Sequence, residues 1–446
     1  MRTYRRDACP FRAPGLKIAR LLLAFLPQSA RSRCTWKLNF SVEPLHERFY
    51  SAINAGSVSA SESFSSVAEI SVTYRASNPE LRTSNFEPST PSPMQISELE
   101  TPIPVVDVDI VRRNIRRLQD YCDAHEIKLR PHIKTHKLPL FAHEQIKAGA
   151  IGITVQKLGE AEAMAQTGVT DILLTYNVIG QVKAGRLAHL ANFARISVGL
   201  DNEKSLDSVA WAAKHATNPV GVLIEFESGA NRQGVQTPEQ ALELARSVVK
   251  RPNIDFNGLM TFPTTSKTAE FLEKALPLFR NAGIDLPTIS GGGTQPAFLT
   301  HKLAPIVTEM RAGTYIYNDR TTMIAGAAAQ EECALAILAT VVSRPSSDRA
   351  VIDAGSKTLS SDLLPANPGG GYGLLPEYPD AIIARLSEEH GVLDLSRSTR
   401  KPELGERVRV IPNHVCVVTN LHDHIHLHKN GEIIACVPVY LRGLTV

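Results

Sequence analysis

The sequence is poor in cysteine, and its cysteines are placed neither for a disulfide framework nor for a zinc finger. Over 446 residues they are widely spaced and form no C-x-x-C motif: Cys9, Cys34, Cys122, Cys333, Cys416 and Cys436. This usage favours a reducing, cytoplasmic compartment.

Long hydrophobic runs and an excess of one charge are also missing. The longest apolar run near the start, residues 21–26, is far too short to span a bilayer. The formal net charge is only +3, and motifs of RNA- or DNA-binding proteins are absent. With 43% hydrophobic and 21% charged residues, the chain is typical of a soluble globular enzyme. We therefore expect neither a nucleic acid nor a membrane as a partner.

Residues 1–93 differ from the rest of the chain. Basic residues precede the short apolar run, as in a targeting segment. Residues 52–94 are rich in Ser, Thr, Asn and Pro and show little periodicity, which predicts disorder. We interpret residues 1–93 as a disordered tail or an over-extended reading frame, with Met94 as a plausible true start. A transit peptide is the alternative.

Between residues 128 and 317, strand-like and helix-like segments alternate regularly. The strand-like runs are 128–134, 151–156, 171–176, 195–200, 220–226, 257–262, 287–290 and 309–312. Eight such units predict an α/β fold, a (β/α)8 TIM-type barrel, which we assign to residues 94–325. A doubly wound sheet is the alternative, although no G-x-G-x-x-G follows the first strand.

The pattern changes after Ala325. Gly and Pro now separate short β-like runs, which include 350–353, 407–411, 414–419, 424–428 and 432–440. Gly369–Gly371 marks a flexible loop. Residues 326–446 are therefore predicted to form a separate C-terminal β domain.

Lys134 lies at the end of the first predicted strand, in the stretch Lys128–Lys137. A lysine at the C-terminal end of a barrel strand is where a barrel enzyme would hold an aldehyde cofactor as a Schiff base. The alternative is that Lys134 and Lys137 are solvated surface lysines.

The glycine run Gly291–Thr294 ends the seventh predicted strand. Phosphate sites of these barrels often follow strands seven and eight. Glycines let backbone N–H groups approach phosphate oxygens, and the threonine hydroxyl adds a donor. A plain turn is the alternative.

His414 and Cys416 are candidate metal ligands. In a strand, residues i and i+2 point to one face, and imidazole with thiolate suits Zn²⁺. A buried cysteine beside a hydrogen-bonded histidine is the alternative. Four further histidines also alternate, and we interpret them as the exposed face of a strand: His422, His424, His426 and His428.

Several of these segments resemble one family. The stretch Arg130–Lys137 resembles the lysine motif of the D-serine dehydratase and D-threonine aldolase group, which are pyridoxal-phosphate enzymes of the alanine-racemase-like fold type. The resemblance continues through residues 231–235, 291–294, 311–319, 351–357 and 412–416. It covers roughly residues 95–446.

The resemblance implies roles for the candidate residues. Lys134 would be the covalent anchor of pyridoxal 5'-phosphate, and Arg232 would reach the hydroxyl side of its ring. The phosphate contacts would come from Gly292, Gly293, Thr294 and Tyr317. His414 and Cys416 would hold a divalent metal, preferably Zn²⁺. The fold type also implies a homodimer.

The implied function is a lyase that acts on D-3-hydroxy amino acids. In the aldolases the second metal ligand is typically Asp, and in the D-serine dehydratases it is Cys, so Cys416 favours D-serine dehydratase. A D-threonine aldolase remains the alternative. An amino-acid racemase and a non-catalytic cofactor-binding protein are less favoured.

Overall fold

The structure is a computed structural model that describes residues 94–364 and 370–446. The interpretation of residues 1–93, and that of Gly369 in the predicted loop, lie outside the described residues. The strands are β1 (Ile103–Asp107), β2 (Lys128–Leu129), β3 (Ile153–Val155), β4 (Asp171–Leu174), β5 (Arg195–Leu200), β6 (Val220–Phe226), β7 (Ile254–Thr261), β8 (Thr288–Gly292), β9 (Glu309–Arg311), β10 (Leu335–Ser346), β11 (Arg349–Ile352), β12 (Gly373–Leu374), β13 (Ile382–Leu386), β14 (Gly391–Asp394), β15 (Arg407–Pro412), β16 (His424–Lys429) and β17 (Glu432–Pro438).

The helices lie mostly between the barrel strands. They are α1 (Val108–Ala124), α2 (Pro139–Ala148), α3 (Leu158–Gln166), α4 (Gln181–Ala191), α5 (Glu203–Lys214), α6 (Pro238–Val249), α7 (Ser266–Asn281), α8 (Thr300–Leu303), α9 (Arg320–Ile324), α10 (Ser356–Leu359) and α11 (Val415–Leu421). Short 3-10 helices span Ile96–Glu98, Ala297–Leu299, Thr314–Ile316 and Gln330–Glu332.

Strands β2 to β9 form one parallel sheet, in the order β2-β9-β8-β7-β6-β5-β4-β3. A parallel bridge between His132 and Thr154 joins the two ends of this sheet. Each strand is followed by a helix that leads to the next, and β6 is buried along its whole length. Burial on both faces explains why such strands read as continuous apolar runs. The predicted barrel is confirmed, and the doubly wound alternative is wrong.

Buried ion pairs occupy the end of the barrel where the strands begin. Arg130 donates from Nε to Glu309 at 2.8 Å and from Nη1 to Asp171 at 2.6 Å. The Glu309 carboxylate also accepts from Ser290. These charges are paired with one another, whereas the active sites of such barrels lie at the opposite end, where the strands finish.

The second sheet contains the remaining strands, and β1 lies inside it. Strand β1 pairs with β10 antiparallel and with β16 parallel. Although β1 falls in the range 94–325 that the sequence assigns to the barrel, its hydrogen bonds are with the β domain. The local pattern of β1 does not show this because both partners are more than two hundred residues away.

The histidine-rich strand β16 alternates as expected. Ile425 and Leu427 are buried, whereas His424 is exposed and His426 is half-buried. His422 precedes the strand. Among the described residues, no helix is long and apolar enough to cross a membrane.

A substitution at Gly258 tests how closely β7 and β8 must pack. Its φ is +118°, and a Cβ there would lie 2.0 Å from the carbonyl oxygen of Thr288. Gly258→Ala should lower the free energy of unfolding by about 2–4 kcal/mol, measured by urea denaturation, because backbone atoms must move apart. Gly283→Ala is the control: its φ is +66° and nothing lies within 4 Å, so only about 1–2 kcal/mol of backbone strain is expected. Equal losses in the two variants would contradict a steric origin.

Candidate active site

A cavity of about 220 Å³ opens where the barrel strands end. The predicted site residues on its wall are Lys134, Arg232, Gly293, Thr294, His414 and Cys416. Gly292 and Tyr317 are not on the wall. The barrel and the β domain therefore contribute to one site.

Lys134 follows β2 in a tight turn, in which the N–H of Lys137 donates to the carbonyl of Ile133 at 2.8 Å. Burial lowers the pKa of Lys134, and the charges of Arg232 and Arg311 lower it further against the opposing effect of Cys416. A lowered pKa favours the neutral amine, which is the form that attacks an aldehyde.

Lys137 has a different environment. Its Nζ lies 2.9 Å from a carboxylate oxygen of Glu160 and donates to the carbonyl of Leu441 at 3.1 Å. It is buried and does not line the cavity. Neither lysine is a solvated surface residue, and of the two only Lys134 reaches the cavity.

The glycine run ends β8 with an open backbone. Gly293 has φ +103°, and a Cβ there would lie 3.2 Å from the ring of Pro296. A Cβ on Gly292 would lie 3.2 Å from Phe262. The N–H of Gly292 already donates to Thr264 at 3.0 Å, and the hydroxyl of Thr294 accepts from the N–H of Tyr315. The side chains of Phe262 and Pro296 therefore occupy the space beside these glycines, while Gly293 and Thr294 face the cavity, where an anion cradle requires backbone N–H groups.

Tyr317 lies in the core of the β domain. Its ring packs edge-on against Phe141 with centroids 6.1 Å apart, and it is fully buried. Its hydroxyl has no hydrogen-bond partner in the part of the chain that the structure describes. This position gives no support to the predicted phosphate contact.

His414 and Cys416 are not on a strand. Strand β15 ends at Pro412, His414 caps α11, and Cys416 lies in the first turn of that helix. The strand prediction for residues 414–419 is therefore wrong, because β-branched residues in this segment imitate a strand pattern. Both side chains nevertheless line the cavity.

A buried carboxylate, that of Asp319, fixes the start of α11. One oxygen accepts from His414 Nδ1 at 2.9 Å and from the N–H of Val415 at 3.0 Å. The other accepts from the N–H of Thr322 at 3.0 Å and caps α9. In the sequence, Asp319 belongs to the matched segment 311–319 but had no predicted role. Its available signal was the helix-capping pattern Asp319-x-x-Thr322.

The electrostatics of His414 and Cys416 are coupled. Burial alone would lower the pKa of His414, but hydrogen bonds to Asp319 and Cys416 raise it to about 10. Burial alone would raise the pKa of Cys416, but His414 and Lys134 lower it. The thiol sulfur also lies 3.2 Å from the hydroxyl of Thr135. In the described residues, no group of three or more His, Cys, Asp or Glu is placed to hold a metal ion.

Besides Arg232, whose role was predicted, the wall carries polar residues to which the sequence assigned no role. Arg311 is buried and donates to Ser290 at 2.7 Å and to the carbonyl of Thr261. Glu225 is buried, which raises its pKa, and it accepts from Gln233. Arg232 lies 3.7 Å from Glu225 and is half-exposed.

His132 and Gln156 complete this set of wall residues. All of these residues lie at or just after strand ends, which is the signal that could have identified them.

Comparisons with known proteins agree with this architecture. Residues 106–321 match the family profile "Alanine racemase, N-terminal domain", and residues 334–428 match "Putative serine dehydratase domain". The chain is 32% identical to the D-threonine aldolase of Arthrobacter sp. over 367 residues, which cover 78% of this chain and 94% of that protein. It is 31% identical to the D-threo-3-hydroxyaspartate dehydratase of Delftia sp. (strain HT23), over 71% of this chain and 91% of that one.

A solved structure gives the same result. The crystal structure of D-threonine aldolase from Filomicrobium marinum matches with a TM-score of 0.72 and 29% identity, over 79% of this chain and 99% of that one. The two sequence matches extend along almost the whole length of both relatives and span the barrel and the β domain alike. The chain therefore belongs to the D-serine dehydratase and D-threonine aldolase family, which has the alanine-racemase-like fold.

Proposed function

We propose that the protein is a pyridoxal-phosphate-dependent, metal-assisted lyase that acts on D-3-hydroxy amino acids in the manner of D-serine dehydratase. One observation carries this proposal. A single cavity brings together the half-buried amine of Lys134, the glycine run and the side chains of His414 and Cys416. Relatives named as aldolases and dehydratases of D-hydroxy amino acids support the substrate class.

The residues present fit the cofactor. Pyridoxal 5'-phosphate needs a lysine that can lose its proton and an anion cradle at a distance from it. Burial provides the first at Lys134, and the open backbone at Gly293 and Thr294 provides the second. Arg232 lies on the same wall and would face the ring. When bound, this cofactor supplies an electron sink next to the substrate Cα.

The metal proposal rests on the donor atoms. Imidazole and thiolate are ligands that Zn²⁺ accepts. Asp319 orients His414 through Nδ1, so Nε2 would bind the ion in place of a proton. Water or substrate would complete the coordination. An ion held there would supply Lewis-acid polarisation of the substrate hydroxyl.

The two candidate reactions differ in the proton that is removed. Removal of the Cα proton with loss of hydroxide gives, after hydrolysis, a keto acid and ammonia. Removal of the hydroxyl proton with cleavage of the Cα–Cβ bond gives glycine and an aldehyde. Cys416 in place of Asp favours the first reaction by family resemblance. The aldolase names among the relatives keep the second as the alternative.

A racemase is less favoured because it needs a second acid or base across the ring. His132 is a neighbour of Lys134, but both of its ring nitrogens are used within the protein, one by Gln156 and one by the backbone of Lys134. A non-catalytic binding protein would have no need of an activated lysine beside a thiolate.

We also propose a cytoplasmic homodimer. The cysteines Cys122, Cys333, Cys416 and Cys436 are free thiols, which suits a reducing compartment. Ile324 and Val417 are exposed apolar residues on α9 and α11, the helices that carry cavity residues. A partner subunit that covers them would complete the mouth of the cavity.

Lys134 is predicted to be the covalent anchor. Borohydride reduction of the cofactor-loaded protein, followed by peptide mapping, should place the cofactor mass on Lys134. Lys134→Ala should lose both the label and all turnover, because no other amine of the described residues lines the cavity. Lys183→Ala, which lies outside the cavity wall, is the control and should keep both. Label on Lys137, or label retained in Lys134→Ala, would contradict the assignment.

Metal dependence is the second prediction. Chelation or Cys416→Ala should lower ammonia release from D-serine by about two orders of magnitude or more, because Lewis-acid assistance is lost. The visible absorbance of the bound cofactor should remain, since its anchor is separate. Cys416→Asp should shift the metal preference toward Mn²⁺ or Mg²⁺ and raise glycine release from D-threonine relative to ammonia.

His424→Ala is the matched control for Cys416→Ala, because His424 is exposed on β16. It should leave the rate of ammonia release unchanged. Undiminished ammonia release by rigorously metal-free protein would contradict the metal-assisted mechanism but would not affect the assignment of Lys134.

The dimer is the third prediction. Sedimentation at assay concentration should give twice the mass of the chain. Ile324→Glu with Val417→Glu should shift the protein toward monomer and lower turnover, because buried charge opposes association. A wild-type monomer with full activity would rule the dimer out.

A further inference from the structure

Gln156 connects the loop after β3 to two groups at the active site. Its side-chain nitrogen donates to the carbonyl of Thr175 at 2.8 Å. Its side-chain oxygen lies 3.3 Å from Nε2 of His132. Gln156 and His132 both line the cavity.

The orientation of this amide is dictated by its partners. A carbonyl oxygen can only accept a hydrogen bond, so the amide nitrogen must face Thr175 and the amide oxygen must face His132. The amide oxygen of Gln156, like the carbonyl oxygen, can only accept a hydrogen bond. His132 must therefore carry its proton on Nε2, which leaves Nδ1 as an acceptor.

Nδ1 of His132, which carries no proton, has a hydrogen-bond donor as its partner. The backbone N–H of Lys134 donates to it at 3.4 Å. Burial, with the charge of Lys134, lowers the pKa of His132 well below its usual range, so the ring is neutral and has one donor and one acceptor. Both are satisfied by this arrangement.

A buried ion pair holds the backbone of Gln156. Its N–H donates to one oxygen of Glu160 at 2.9 Å, while the other oxygen lies 2.9 Å from Nζ of Lys137. Lys137 is also tied to Leu441, which donates its N–H to the carbonyl of Lys137 and accepts from Nζ. Because this pair is buried and hydrogen-bonded on both sides, it supports the backbone of Gln156.

We propose that Gln156 is a positioning residue: its side-chain amide, oriented by Thr175 and supported by the Glu160–Lys137 pair, fixes the Nε2-protonated tautomer of His132, which in turn holds the backbone of Lys134. This role deepens the proposed function and rests on it, since it concerns the residue assigned as the anchor. Gln156 and Lys137 thereby act through neighbours rather than on the substrate.

The test is a measurement of the tautomer. Ring nitrogen-15 spectra of the cofactor-loaded protein, labelled in histidine, distinguish the two neutral tautomers. The resonances of His132 are assigned by their loss in His132→Gln. The wild-type protein should show the proton on Nε2. Gln156→Leu should give a mixture of tautomers, and turnover should fall about three- to tenfold with KM nearly unchanged, the effect of one lost hydrogen bond. Gln156→Glu, which can still accept from His132, should restore the tautomer.

Gln119→Leu is the matched control. Gln119 is a buried glutamine on α1 that bonds Asp123 in its own helix, away from the cavity. It should leave the His132 spectrum and turnover unchanged, and the urea midpoints of the leucine variants show whether they fold. A wild-type proton on Nδ1, or an unchanged tautomer in folded Gln156→Leu, overturns the proposal. The tautomer can also be measured in the cofactor-free protein. Its result therefore does not depend on whether Lys134 is the covalent anchor.

Discussion

The site depends on the carboxylate of Asp319. This group is fully buried and caps two helices, α9 at the exit of the barrel and α11 in the β domain. It also fixes the ring of His414 through Nδ1. A buried carboxylate is stable only when its oxygens are satisfied, and here backbone and side-chain donors of both domains satisfy them. Because the Asp319 carboxylate needs donors from both domains, it holds the two halves of the site together.

The sequence predicted those parts of the structure that local patterns determine. Parallel strands buried on both faces give apolar runs, and their alternation with amphipathic helices gives the barrel. Lys134 could be predicted as a site residue because it follows a strand, and in a barrel the strand ends converge. The alternation along β16 was also visible in the sequence, because Ile425 and Leu427 face the core while the histidines between them are exposed or half-buried.

Features that depend on distant contacts could not be predicted. Strand β1 joins the second sheet through β10 and β16, which no local pattern shows. The start of α11 was mistaken for a strand because the hydrogen bond from Asp319 to its first backbone N–H spans 96 residues. Tyr317 was expected to contact phosphate by resemblance, whereas its ring packs against Phe141 in the core. In each case a tertiary hydrogen bond or core contact outweighs the local preference.

The division of the site between two domains has a chemical consequence. The barrel carries Lys134 and the glycine cradle, and both candidate reactions need these in the same way. The groups that we propose to interact with a substrate hydroxyl, His414 and Cys416, lie at the start of α11 instead. Loss of hydroxide and cleavage of the Cα–Cβ bond differ in how the hydroxyl is treated. Under the proposed function, a change of reaction would therefore require changes at the start of α11 and in its support by Asp319, while the barrel could stay as it is.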